Sequence, residues 1–255
     1  NGAVVSSDGT IWLADTTSSS FFNFDPATEK YTQYTTADPL LSTYGNQTGV
    51  VKSLISRPYW MESDEQGRII FNAQTANNIS VMDPKSQSLV EYHIPSKNPY
   101  WADCDLGTGM MLSDCGLAQV FDFTVDGHKI WFTEWVENNI GVVDTSIPLP
   151  LEIQLESNTV TLSPGDSQHF NFIVSPKSQG DLFGVSLIMS PTHDFLEIEP
   201  DHGTSKSFQL NFDDPRPINT TISVTEDAIP GTYKILVGAQ LSDVAISKFI
   251  TVTIE

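Results

Sequence analysis

Two separate landmarks in this sequence recur with the same pair of spacings. A turn followed by an alternating apolar run reads DGTIWLAD at 8–15, QGRIIFNA at 66–73 and DGHKIWFTEW at 126–135. Trp12, Ile70 and Trp131 hold the same place in it, 58 and then 61 residues apart. A second run follows each of these: FFNFDPATEKYTQY from 21, NISVMDPKSQSLVEYHI from 78 and NNIGVVDTS from 138. Its aspartates, Asp25, Asp83 and Asp144, are again 58 and 61 residues apart. A chain built this way folds each copy alike and stacks the copies, because one copy cannot bury its apolar face alone.

Each copy reads as four short strands, A to D. Strand A leads through a tight turn (Asp8-Gly9, Gln66-Gly67 or Asp126-Gly127) into B, and C leads through an Asp-Pro type turn into D. Tandem four-stranded antiparallel units predict a β-propeller. The copies exceed the usual length of about 40–45 residues, and the excess falls at 37–57 and about 102–119. After Ile147-Pro-Leu-Pro150 the repeat stops, and seven or more short alternating strands with turn signals follow. They predict an Ig-like sandwich without a cysteine pair across its sheets. The expected fold is therefore all-β: a partial β-propeller of three four-stranded blades over 1–149, then an Ig-like β-sandwich over 150–255. Three blades do not close a ring, which needs about four to eight. The expected partner is thus a polypeptide supplying the remaining blades, either another part of a precursor or a second chain.

Strand direction sorts the candidate site residues. In an up-and-down blade, the start of A, the end of B, the start of C and the end of D share one face. Both long insertions fall on that face, with Tyr59, Trp60, Tyr100 and Trp101 near the D-to-A junctions and Asp15, Asn72, Glu134 and Trp135 at the ends of B. Aromatics and carboxylates on an elaborated face suit ligand or partner recognition. The repeated Pro-Tyr-Trp equally suits packing between blades.

The runs DGTIWLAD and DGHKIWFTEWVENNIGVVD, with the Asp-Pro turns, resemble the virginiamycin B (streptogramin) lyase family and, more broadly, NHL-type and gluconolactonase-like propellers. The resemblance spans roughly 1–147 and is most specific at 126–144. It implies a propeller and a magnesium-assisted lyase that opens a cyclic depsipeptide with His and Glu residues on one face. In that family the histidines sit beside prolines at blade junctions. Here those junctions read Pro58-Tyr59-Trp60 and Pro99-Tyr100-Trp101, without His. His93 falls in an outer strand and His128 in an A–B turn on the opposite face, neither placed for proton transfer. Glu134 matches the family's Thr-Glu position and is the one local candidate catalytic group. Pro230-Gly231-Thr232-Tyr233 resembles the late strands of prokaryotic Ig-like surface modules.

The chain carries 12 Lys+Arg against 32 Asp+Glu, a formal charge of -20. That charge repels phosphate backbones and anionic lipids, which excludes nucleic acid as a partner. Cys104 and Cys115 lie in one short stretch and predict a disulfide, with free thiols or a metal pair as alternatives. Sequons at Asn46, Asn78 and Asn219 predict glycosylation. Together these features predict an extracellular, cell-surface protein. The start at Asn1 without Met suggests a processed chain or a fragment. Asp103, Asp105 and Asp114 are candidate oxygen ligands for Ca²⁺, and Ca²⁺ or Mg²⁺ are the only cofactors the residues suggest. No GxSxG, HExxH or phosphate-loop pattern occurs. The expected function is a secreted binding or structural protein, with its propeller face for recognition and its Ig-like domain as stalk or assembly module. The alternative is a lyase whose histidines lie in blades outside this chain.

Overall fold

The structure is a computed structural model that describes residues 2–40, 55–96, 118–135 and 138–255. Among these residues there are twenty strands and no helix. They form two compact units. The first comprises Asn1–Tyr31, Asp38–Pro84 and Glu91–Ile147, and the second Thr32–Ala37, Lys85–Val90 and Pro148–Glu255.

In the first repeat β1 (Ala3–Val5), β2 (Ile11–Ala14), β3 (Ser20–Asp25) and β4 (Lys30–Thr35) lie side by side in chain order. The second repeat supplies β5 (Pro58–Ser63), β6 (Ile69–Ala73), β7 (Asn78–Asp83) and β8 (Ser88–His93), again in chain order. The third gives β9 (Val120–Asp126), β10 (Lys129–Glu134) and β11 (Asn139–Asp144) as a three-stranded antiparallel sheet. Four strands were expected here. The chain after Asp144 instead passes Pro148 and Pro150 and enters a strand that pairs inside the second unit. Proline offers no N–H for a ladder, so the run that would have supplied the fourth strand is broken.

The turns repeat as faithfully as the strands. Gly9, Gly67 and Gly127 have φ of 85°, 81° and 58°, in the left-handed region that favours glycine. Asn77 and Asn138, 61 residues apart, both take positive φ, as do Glu29 and Gln87, 58 apart. The innermost strands are neighbours, since β5 touches both β1 and β9. Gly2 allows the first of these approaches, because a Cβ there would meet Tyr59 O at 2.6 Å and Met61 N at 2.5 Å.

Alternation gives each repeat a leading and a trailing face. In the second repeat both are closed: Ile69, Phe71 and Met82 on the leading side are 0% exposed, and Ile70, Ile79 and Val81 on the trailing side are 0%, 0% and 6% exposed. The trailing Phe21 of the first repeat packs against the leading Phe71, with ring centroids 4.8 Å apart and planes tilted by 43°. The trailing Ile70, Ile79 and Val81 share a cluster with the leading Ile130, Phe132 and Val143 of the third repeat.

The second unit has two sheets. One runs in the order β12 (Leu151–Leu155), β14 (Ser167–Pro176), β18 (Arg216–Val224), β16 (Leu196–Pro200). The other contains β17 (Ser207–Leu210), β15 (Leu182–Pro191), β19 (Gly231–Gln240) and β20 (Val244–Ile254). β13 (Thr159–Leu162) joins β20 in parallel at one end. At the other end Phe249 N–H donates to Gln87 O (2.8 Å) and Ser247 Oγ to Leu89 O (3.1 Å). These bonds place Lys85–Val90 in this unit although the residues come from the repeat region. Lys234 is 8% exposed and donates to Gln87 Oε1 (2.7 Å) and Thr251 Oγ1 (2.9 Å), while burial holds its ammonium pKa below the ordinary lysine value.

Candidate functional site

Strand β10 ends in Glu134 and the chain then turns at Trp135. Glu134 faces inward and is 5% exposed, paired across the sheet with Asn139 on one side and Val120 on the other. The register shifts between Phe132 and Glu134 on the β9 side, a bulge that re-aims the end of the strand. The amide of Asn139 donates to Glu134 Oε2 at 3.2 Å. Trp135 N–H donates to Gln119 O at 3.1 Å, and the indole stands out from the sheet at 50% exposure.

An aromatic row runs past this point. Phe121 lies 4.9 Å from Trp135 and 5.8 Å from Tyr59, centroid to centroid. Phe121 is 40% exposed and Trp60, next to Tyr59, 43%. Phe121, Thr133, Glu134, Trp135, Asn138 and Ile140 line a shallow depression of about 280 Å³. Flat exposed rings beside a recessed carboxylate and amides form a surface that can stack on a planar or apolar ligand face and accept its hydrogen bonds.

The structure takes some expected residues out of this surface. Asn72 is 0% exposed, and its amide is committed on both sides: Trp60 N–H donates to Oδ1 at 2.8 Å, and Nδ2 donates to Val120 O at 2.5 Å. It ties β5 to β9 and offers nothing to a ligand. Asp15 closes its own turn by accepting from Thr17 N, Thr17 Oγ1 and Ser18 Oγ. Desolvation raises its pKa, but these bonds outweigh that effect and hold it below the ordinary aspartate value. Asn78 is 1% exposed and its amide donates to Glu91 Oε1 at 3.4 Å, so the folded strand does not present it to a glycan. Asn219 lies on the exposed side of β18. Tyr100, Trp101, Cys104, Cys115, Asn46, Asp103, Asp105 and Asp114 fall outside the described residues.

Phe121 was missed by inspection of the junctions, yet the spacing identifies it. Trp60 plus 61 is Phe121, and Trp60 minus 58 is Gly2, so one repeat position carries Gly, Trp and Phe in turn.

The carboxylate of Glu134 takes an amide as its neighbour, and no group of three or more His, Cys, Asp or Glu gathers among the described residues. His93 closes strand β8, and His128 sits in the β9–β10 turn, where its carbonyl accepts from Thr145 N–H at 2.8 Å.

No protein-family model matches the chain, and no curated protein matches it in sequence. Solved structures overlap it at low scores. Virginiamycin B lyase from Staphylococcus aureus superimposes with a TM-score of 0.31 and 14% identity, covering 96% of this chain and 79% of that one. Domains 4 and 5 of the S-layer protein SbsC give 0.30 and 10%, covering 80% and 98%. A family 123 glycoside hydrolase from Clostridium perfringens gives 0.32 and 12%, and this chain spans 27% of it. The strand order and register described above, rather than these overlaps, define the fold.

Proposed function

We propose that the chain is a cell-surface, secreted binding or structural protein. In this reading residues 1–149 are blades of a β-propeller whose ring is completed by further polypeptide. Residues 150–255 are an Ig-like sandwich acting as stalk or assembly module. The blade-end surface at Tyr59, Trp60, Phe121 and Trp135 is the recognition surface. The observation that carries the reading is the row of rings Tyr59, Phe121 and Trp135, left 40–50% exposed at Phe121 and Trp135 beside a recessed Glu134. Hydrophobic burial leaves single rings exposed by chance, but a contiguous row at one end of a repeat stack marks a contact surface. The repeat sequences, the adjacency of β1, β5 and β9, and the stacked repeat faces support the propeller. The nine strands β12–β20 support the sandwich.

The test is a panel of immobilised oligosaccharides and peptides read with the intact chain and with a Trp135→Ala/Phe121→Ala double variant. The reading expects at least one ligand whose signal falls tenfold or more in the variant. Ligands that bind both proteins equally, or no binding across the panel, would count against it. Intact mass of secreted material, with sugar expected at Asn219 and none at Asn78, tests the extracellular placement.

A further inference from the structure

The third repeat leaves bare what the second repeat closes. Ile79 and Ile140 are repeat equivalents, and so are Ile70 and Trp131, and Val81 and Val142. In the second repeat these positions are 0%, 0% and 6% exposed; in the third they are 75%, 40% and 47%. Trp131 and Val142 are direct cross-strand partners, and Ile140 pairs with Thr133 beside them, so the apolar residues form one continuous face. At the far end of the stack the leading face of the first repeat is also incompletely covered. Ile11 pairs with Phe24 and Leu13 with Phe22, all four half-buried. Their equivalents Ile69, Phe71, Ser80 and Met82 are 0% exposed beneath the trailing face of the repeat before them.

We infer that the trailing face of the third repeat (Trp131, Ile140, Val142) docks onto the leading face of the first repeat (Ile11, Leu13, Phe22, Phe24) of a second copy of this chain. The inference rests on the stacked-repeat reading above and names one occupant for its open face. Both halves of the contact are already present in one chain, since each face is a version of one that packs between repeats inside it. Such a head-to-tail contact is heterologous, and it either closes or propagates. Two copies of three repeats make six, within the range of about four to eight that closes a ring. The apolar residues are edged by charge on the third repeat: Lys129 and its cross-strand partner Asp144 lie on the same side as Trp131 and Val142, with the Lys129 ammonium 5.8 Å from the Trp131 ring centroid. The net charge of -20 opposes association, but it is screened beyond about 8 Å at physiological salt.

Sedimentation velocity of the full chain, from micromolar to a few hundred micromolar in 0.15 M salt, tests this. The expected result is a species of twice the chain mass that weakens as salt is lowered. Val142→Glu and Phe22→Glu are each expected to be monomeric alone. Mixed in equal amounts they are expected to form a dimer, because one intact trailing face then meets one intact leading face. If Phe22→Glu does not fold, Leu13→Gln takes its place. A wild-type monomer at every concentration would overturn the proposal, and so would a Phe22→Glu variant that still dimerises, which would mean a face-to-same-face contact. Amide exchange at Ile70 and Ile79 separates the two levels. A monomer with both amides protected removes only the second copy, whereas rapid exchange there removes the stacked repeats as well.

Discussion

The second and third repeats share one pattern, with seven of fifteen residues identical between 69–83 and 130–144, yet they end in different surroundings. Ile70, Ile79 and Val81 sit in a closed cluster, while Trp131, Ile140 and Val142 face outward. The difference shows that burial in a repeat protein belongs to the neighbour as much as to the sequence of the repeat. The same alternating strand supplies core in one place and contact surface in the other.

The largest effect expected from this contrast is at Phe71, fully buried against Phe21. Phe71→Ala should cost about 3–5 kcal/mol of unfolding free energy by urea titration. Trp131→Ala in dilute solution should stay within about 0.5 kcal/mol of wild type. Similar losses for both would break the contrast. A middle-sized effect is expected at Asn72. Asn72→Ala leaves Trp60 N–H and Val120 O without their partner at the join of the second and third repeats. The expected loss is about 1–3 kcal/mol, with faster amide exchange at Trp60 as the local sign.

The smallest effect concerns charge at the same join. Burial, and then the nearby charge of Asp122, raise the Glu62 carboxyl above the ordinary glutamate value of 4.5. The folded state therefore holds that proton more tightly than the unfolded state does. Stability falls as pH rises from 4.5 through the raised value. Glu62→Gln should raise the thermal midpoint slightly at pH 7, and the gain should vanish below pH 4.5. A gain that persists in acid would assign the effect to packing.

Much of this arrangement was legible in the sequence because strand alternation and turn chemistry act locally. Trp12, Ile70 and Trp131 mark strands wherever they pack, and Gly9, Gly67 and Gly127 mark turns through their backbone alone. The losses came where distant partners decide. Asn78 reads as a sequon, but Glu91 takes its amide. Asn72 reads as a surface residue at a strand end, but it bridges to Val120, 48 residues on. Residues 85–90 read as an outer strand of a repeat, and hydrogen bonds to Ser247 and Phe249 place them in the second unit. Phe121 was recoverable from the spacing of 61, but only by extending the repeat into strand A.

The central claim is that equivalent residues of the two repeats differ because one face is covered and the other is not. Urea unfolding of Ile79→Ala and Ile140→Ala, side by side at the lowest workable concentration, addresses it directly. Burial at 0% and exposure at 75% predict a loss of about 2–5 kcal/mol for the first and a change within about 0.5 kcal/mol for the second. Equal losses at the two positions would contradict the account.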